Sequence, residues 1–410
     1  MRKMDFLTSL YLFFIFVSLY VSFLFMILYF KNKDDIYRYE LTNELPTLSV
    51  LIPAYNEEEN IKQTIDCIKE ADYPKELIEI IVINDGSKDK TLKILNGIDG
   101  IKILNKENSG KADSLNKALK IAKGEIIATI DADCFPERDA FLKMVSYFKE
   151  QKVGAVTASV FVKNKNNLLE KFQNIEYAMI AFGRRLLDYI DSVFVTSGAL
   201  SMYRKSILIE VGGFDKNNLT EDIEIAWNIL SRSYKVKMCF NAKALTIVPD
   251  KFGRWWRQRL RWDIGGLQCI QKYKKALFRK KYDVFGLFVV PFFSSYVLLS
   301  FISLILAFYL IVKNSIIEFS FFSSSILNKS DIFRWENLVD LTPTVFTFLW
   351  LFLIFIFLFF IIVQFRIINK EQKHINYNFI TFLFLLIYPI FFPFLLVHST
   401  YRLLIGKIQW

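Results

Sequence analysis

Residues 125–133 read Glu-Ile-Ile-Ala-Thr-Ile-Asp-Ala-Asp. The apolar run predicts a buried strand, and the strand ends in two carboxylates, Asp131 and Asp133. Charge at the end of a buried strand is costly unless it is paired, solvated or bound to metal. A hard divalent cation, Mn2+ or Mg2+, that also grips a diphosphate is one natural partner. An ordinary strand end with two solvated aspartates is the other. An Asp-x-Asp is common by chance, so the flanking sequence has to decide.

Outward from this point the pattern repeats. Residues 48–53, 78–84, 101–104 and 153–162 are further short apolar runs, expected as strands. Residues 58–70, 88–96, 110–123 and 137–150 carry helical spacing between them. Such alternation predicts an α/β fold with a mostly parallel sheet. In sheets of that kind ligands bind beyond the carboxyl ends of the strands. The loops holding Pro53, Asp85 and Asp131 are therefore expected to meet in one crevice. Residues 164–270 are less regular, with helices expected near 167–190 and 221–233.

The composition adds a membrane. Hydrophobic residues make up 53% of the chain, with 42 Phe, yet 23% of residues are charged and the net charge is +11. The densest basic run, residues 272–281 (KYKKALFRKK), stands just before a long apolar segment. That position fits the positive-inside rule and anionic lipid headgroups rather than nucleic acid. The cysteines, Cys67, Cys134, Cys239 and Cys269, form no C-x-x-C pair, and only His374 and His398 are histidines. A zinc site is not expected, and a reducing compartment is.

Apolar stretches at 6–30, 284–312, 345–363 and 379–397 predict four spans, with Pro291 breaking the second and Pro389 and Pro393 the last. The first is too long for a signal peptide and is expected as a retained anchor. The resulting plan is a transmembrane helix (1–30), a linker (31–46), a soluble domain (47–270) and a membrane domain (271–410). Residues 272–281 place the soluble domain inside a multi-pass protein of the cell membrane. Residues 313–343 then lie outside and 364–378 inside.

Five further clusters have chemical potential, each with a plainer alternative. Tyr55 and Glu57 follow the first strand as a stacking ring and an acceptor, or simply open a helix. Asn84-Asp85-Gly86-Ser87 offers Asp85 to a base or ribose, or is a turn with Ser87 as helix cap. Lys111 of Ser109-Gly110-Lys111 can reach a nucleotide or be solvated; the G-x-x-x-x-G-K-[ST] spacing of a P-loop is missing. Thr220-Glu221-Asp222 is a capped helix start, or presents Asp222 as a general base for an attacking hydroxyl. Finally, Gln258-Arg259-Leu260-Arg261-Trp262 lies in a Trp- and Arg-rich run. It reads as an amphipathic helix at the membrane surface, with Arg261 and Gln258 also suited to a diphosphate and Trp262 to an acceptor wall.

Taken in order, Asp85, Asp131-x-Asp133, Thr220-Glu221-Asp222 and Gln258-x-x-Arg261-Trp262 resemble the processive, membrane-integrated family-2 glycosyltransferases. These are the cellulose, chitin, hyaluronan and poly-N-acetylglucosamine synthases. The stretch from Val248-Pro249-Asp250 through Gly265-Gly266 is most similar to the poly-β-1,6-N-acetylglucosamine type. The resemblance implies a GT-A type nucleotide-sugar domain set between transmembrane helices. It implies that Tyr55, Glu57, Asp85, Lys111 and Asp131 hold a UDP-sugar, and that Asp133, with Asp131, holds Mn2+ or Mg2+. Asp222, beside Glu221, would be the base. Gln258, Arg261 and Trp262, with Ser197 and Gly198 of the Thr196-Ser197-Gly198-Ala199 loop, would line the diphosphate and acceptor. It further implies inverting transfer of a sugar, N-acetylglucosamine in the closest match, to a growing β-linked polysaccharide with export through the membrane. A small membrane partner subunit is expected, and no nucleic acid. Two other readings stay open: single transfer to a lipid carrier or glycolipid, and an inactive scaffold or export subunit.

Overall fold

The computed structural model describes residues 6–42, 44–327, 349, 351–356, 358–363 and 377–406. The chain divides into two compact units: Met1–Ile27 with Ser295–Lys373, and Leu28–Ser294 with His374–Trp410.

The second unit is built on one eight-stranded sheet of order β3-β2-β1-β4-β7-β6-β8-β5. Its strands are β1 (Leu48–Ala54), β2 (Ile78–Asp85), β3 (Lys102–Lys106), β4 (Ile126–Thr129), β5 (Cys134–Pro136), β6 (Val153–Val162), β7 (Ser201–Arg204) and β8 (Lys235–Thr246). The first four pair in parallel, as the alternation predicts. The far half is mixed. β7 runs antiparallel to β4 and β6, β8 runs parallel to β6, and β5 runs antiparallel to β8. Every residue of β6 is buried, as a strand covered on both faces should be.

This order has a direct consequence. The chain winds from β1 to β2 to β3 on one side, then returns to lay β4 on the other side of β1. β1 and β4 therefore flank the topological switch, where neighbouring loops part and leave a crevice. The segments after β1 and β4 carry Tyr55, Glu57, Asp131 and Asp133.

The helices up to residue 273 are α1 (Phe6–Asn32), α2 (Ile61–Lys69), α3 (Thr91–Leu95), α4 (Lys111–Ile121), α5 (Ala140–Val145), α6 (Leu168–Asp188), α7 (Lys205–Glu210), α8 (Glu221–Ser231) and α9 (Phe252–Tyr273). The helix expected over 137–150 is shorter than its pattern, α5 giving way to a 3-10 turn at Ser146–Lys149. α6 begins at a complete capping box, Asn167 accepting the Glu170 N–H and Glu170 reaching back to the Asn167 N–H. Neither expected hydroxyl cap forms. Ser87 instead accepts the Asn56 N–H at 3.0 Å, and Thr220 donates to Asn218 Oδ1 at 3.1 Å. A neighbouring loop in the first case, and the residue two places earlier in the second, offers the hydroxyl a partner that competes with the helix end.

Three helices are long and apolar enough to cross a membrane by length and composition: Leu12–Asn32, Phe285–Ser324 and Phe379–Leu404. The fourth expected span falls partly outside the described residues, with Leu351–Val363 seen as a shorter apolar helix. Pro291 does not break the second segment. It sits where a π-turn at Phe285–Val289 passes directly into the α-helix Val290–Leu327. Pro389 does interrupt its segment, within a 3-10 turn (Tyr388–Ile390) that parts Tyr377–Ile387 from Phe391–Leu404. The loop expected at 313–343 is helical as far as Leu327. The rest of that loop, residues 364–376 and the N-terminal Arg2 and Lys3 lie outside the described residues.

Candidate active site

The residues expected to hold donor, metal and acceptor line one cavity of about 930 Å³: Tyr55, Glu57, Asp85, Lys111, Asp131, Asp133, Ser197, Gly198, Glu221, Asp222, Gln258, Arg261 and Trp262. They arrive from strand ends, loops and three helices, α4, α8 and α9.

The loops after β1 and β2 are laced together. The Asn56 backbone takes a positive φ of 56°, which Asn tolerates better than most residues. Its side chain accepts the Lys88 N–H at 2.8 Å, and Thr91 Oγ1 accepts the Glu57 N–H at 2.8 Å. Asp85 is buried and fully engaged. It accepts N–H groups from Ser109 at 2.9 Å and Gly110 at 3.0 Å, and it pairs with Lys106. Its direct work in the structure is to shape the loop that precedes Lys111.

The Asp-x-Asp forms a turn, with Asp131 O accepting the Cys134 N–H at 3.0 Å. Thr64 of α2 donates to the Ala132 carbonyl at 2.7 Å and holds that turn from below. The two carboxylates then differ. Lys111 Nζ lies 2.7 Å from Asp131 and 2.7 Å from Glu221, bridging the end of β4 to the start of α8. Asp133 is in no ion pair among the described residues. Burial, then Asp131 and Glu57, push its carboxyl up to about 7.

Asp222 sits across the cavity. Its Oδ2 accepts the Gly198 N–H at 3.2 Å and its Oδ1 the Ile223 N–H at 2.9 Å. Burial and then Glu221 raise its carboxyl to about 6, against the pull of Lys111 and Arg261. Gly198 lies close against the Lys111–Asp131 ion pair. A Cβ there would come within 2.7 Å of Lys111 Nζ and 3.1 Å of Asp131 Oδ2. Thr196 fixes the same loop, donating to the Asp222 carbonyl at 2.7 Å while accepting from Tyr203 at 2.9 Å. The start of α8 is pressed against α9. A Cβ on Gly265 would fall 1.9 Å from Thr220 Oγ1, so only glycine permits this contact.

α9 delivers Gln258, Arg261 and Trp262 to the cavity. Trp262 has the Arg259 guanidinium 4.0 Å from its ring centre and the Tyr177 ring 6.3 Å away. Several contributors were not marked by the sequence patterns. Tyr177 and Arg184 of α6 line the cavity. Among the described residues Arg184 is in no ion pair, and burial lowers its guanidinium to about 10, with Asp222 opposing. Nothing in the spacing of α6 sets these two apart from the rest of a long amphipathic helix.

Chemically, the cavity combines an aromatic and acidic pocket beyond β1, a pair of strand-end carboxylates, a buried carboxyl raised toward neutrality and a guanidinium from α9. The fold is that of GT-A glycosyltransferases. Residues 49–212 match the family described as Glycosyl transferase family 2. The chain is 34% identical over 280 residues to the poly-beta-1,6-N-acetyl-D-glucosamine synthase of Staphylococcus aureus (strain COL), covering 65% of this chain and 67% of that one. It is 35% identical over 229 residues to the Staphylococcus epidermidis enzyme of the same name, covering 54% and 55%. Among solved structures, a mannosyltransferase from Pyrobaculum calidifontis in complex with GDP-Man and Mn2+ matches with a TM-score of 0.51 at 21% identity. That match covers 70% of this chain and 85% of the other, and it shows the shared fold. The chain belongs to glycosyl transferase family 2 and is a glycosyltransferase closely related to synthases of an N-acetylglucosamine polymer.

Proposed function

We propose that this protein transfers N-acetylglucosamine from UDP-N-acetylglucosamine, with inversion, onto the end of a growing β-linked polysaccharide. The domain at 47–270 works at the cytoplasmic face of the cell membrane, and the apolar helices pass the product outward. The observation that carries this reading is the convergence of Asp131/Asp133, Asp222 and Gln258/Arg261/Trp262 on one cavity.

The donor half follows from the chemistry of its groups. Tyr55 stacks on the uracil, Glu57 accepts from it, and Asp85 sets the loop from which Lys111 approaches the nucleotide. A divalent cation suits Asp133. Its carboxylate lacks a cation partner among the described residues, and its ionised form is disfavoured by burial and by two neighbouring acids. Among the described residues no cluster of three or more His, Cys, Asp or Glu side chains is gathered for a metal. Asp133, with Asp131, would hold the ion, which would supply positive charge to a bound diphosphate. The mannosyltransferase named above binds Mn2+, which supports the same class of ion. When bound, such an ion offsets the charge of the leaving diphosphate.

The transfer itself is a single displacement. An acceptor hydroxyl oxygen bonds to the anomeric carbon as the bond from that carbon to the diphosphate oxygen breaks. Asp222 takes the hydroxyl proton, and UDP leaves with the bonding electron pair. A carboxyl near 6 is ionised at neutral pH yet basic enough to accept that proton. Arg261 and Gln258 meet the departing diphosphate, Trp262 with Ser197 and Gly198 seats the acceptor sugar, and Glu221 keeps Lys111 in place.

The test is UDP release from UDP-N-acetylglucosamine by the full chain in membranes, with product length measured. Release with a long product is expected. No turnover with any UDP-sugar overturns the reading, and a product of one sugar on a lipid replaces it with single transfer to a glycolipid or lipid carrier.

A further inference from the structure

Behind the cavity-facing side of α9 lies a buried polar network that the proposed chemistry does not use. Arg259 is 2% exposed and Glu176 8% exposed. Arg259 Nη2 pairs with Glu176 Oε2, and Arg259 Nη1 donates to Gln258 Oε1 at 2.7 Å. Tyr388 donates to the same Glu176 oxygen at 2.7 Å and accepts from Trp255 Nε1 at 2.7 Å. The members come from α6, from α9 and from the turn that interrupts the C-terminal apolar helix.

The direction of one bond has a chemical consequence. A guanidinium has donors only, so it must meet the oxygen of the Gln258 amide. With Oε1 turned to Arg259, the Gln258 amide nitrogen and its two hydrogens are left for the cavity. Gln258 is thereby a donor in the site, suited to phosphate oxygens. The same guanidinium lies 4.0 Å from the Trp262 ring centre and backs the face of the indole.

A buried ion pair of this kind is weak support for stability, because desolvation of both charges offsets much of their attraction. Geometry is the better account of it. We infer that Glu176 and Arg259 are positioning residues: Glu176 fixes Arg259, and Arg259 fixes the Gln258 amide as a donor and the Trp262 ring as a wall. Tyr388 ties this arrangement to the membrane-side turn. The inference rests on the proposed reaction and names residues that neither the motif nor the family match assigns.

The test uses the full chain with UDP-N-acetylglucosamine and, separately, UDP with Mn2+. Glu176→Gln keeps shape and removes the charge. It is expected to lower kcat roughly 10²-fold, as a small displacement of a reacting group can. The KM for UDP-N-acetylglucosamine should change less than about threefold, with UDP still binding at full stoichiometry. Full stoichiometry separates a misplaced α9 from a smaller fraction of folded protein. A kcat that is unchanged, or that falls only in step with stoichiometry, overturns the inference. If Glu176→Gln does not fold, Gln258→Glu decides. An acid there keeps the bond to Arg259 but offers no donor, so UDP affinity should fall about tenfold, equivalent to about 1.4 kcal/mol. Unchanged UDP affinity overturns the orientation assigned to Gln258. That binding measurement holds even if no UDP-sugar turns over, an outcome that removes the proposed reaction and not the positioning.

Discussion

The two halves of the cavity are built by different means. On the β1–β2–β4 side, polar side chains are fixed mainly by backbone groups of neighbouring loops, across separations such as 31 residues for Asn56 and Ser87 and 24 for Asp85 and Ser109. On the α6–α9 side, the groups behind Gln258 and Trp262 are fixed by buried side chains far apart in the chain, while Asp222 of α8 is held by the Gly198 and Ile223 N–H groups. Arg259 and Glu176 are 83 residues apart, and Tyr388 and Glu176 212. The first half resembles a cradle of strand-end loops and the second a helix clamped from behind. A donor that arrives and leaves at every cycle suits loops at strand ends. An acceptor that must be held in line with a base suits a helix with a rigid backing.

That contrast breaks most sharply at Asp222, the acceptor-side group closest to the chemistry. Asp222→Asn keeps the volume and one of the two acceptors for the Gly198 and Ile223 N–H groups but removes the base. We expect kcat to fall about 10³-fold, within the usual range for loss of a general base, with UDP affinity unchanged. Wild-type turnover in Asp222→Asn sinks both the base assignment and the division of labour between the halves. Asp133→Asn addresses the donor side. It should lower kcat/KM roughly 10²-fold, and added Mn2+ should restore the chelator-treated parent but not the variant. If instead the variant responds to Mn2+ like the parent, Asp133 does not hold the ion.

The same contrast explains what was legible in the sequence. The parallel half obeys a local code: apolar runs at 48–53, 78–84 and 125–131 alternate with helices, and β1, β2 and β4 lie where those runs are. The residues after each strand follow from topology alone. In the mixed half, β6 lies at the apolar run 153–162, whereas β5, β7 and β8 follow no run of that kind. β7 is only Ser201–Arg204, and β5 is only Cys134–Pro136, too short for a period to show. β8 did carry a signal, since Lys235, Val236, Lys237 and Met238 alternate and their burial alternates with them. A search for period-two spacing there finds it. The Glu176–Arg259–Tyr388 network left no signal, because its members lie in three separate helical or turn patterns. In a sequence Arg259 is one basic residue among several in α9. Only its burial distinguishes it from Arg257 and Arg254.

The pH profile sharpens the account of Asp222 with a smaller effect. Burial and Glu221 raise its carboxyl to about 6, and the base is competent only when ionised. Lowering the pH through about 6 protonates it. Activity should therefore be level above that value and fall about tenfold per pH unit below it. A second variant locates the cause. Glu221→Gln removes the like charge, so the acid limb should move to lower pH. An acid limb that stays in place assigns the titration to another group.

The smallest effect is expected at Asp85, and it bears on the donor half alone. Its two oxygens accept the Ser109 and Gly110 N–H groups, and its charge meets Lys106. Asp85→Asn retains one carbonyl oxygen and places an NH2 against a donor. The loss should be about 1–3 kcal/mol of stability in the segment ahead of Lys111. Lys111 would then sample more positions between Asp131 and Glu221. The KM for UDP-N-acetylglucosamine should rise several-fold, about 1 kcal/mol in binding, with kcat nearly unchanged. Glu176→Gln should give the converse split, so the pair of variants measures the contrast directly. A fall in kcat for Asp85→Asn equal to that of Glu176→Gln, with KM unmoved, means that the loops also position the reacting groups and that the two halves act as one.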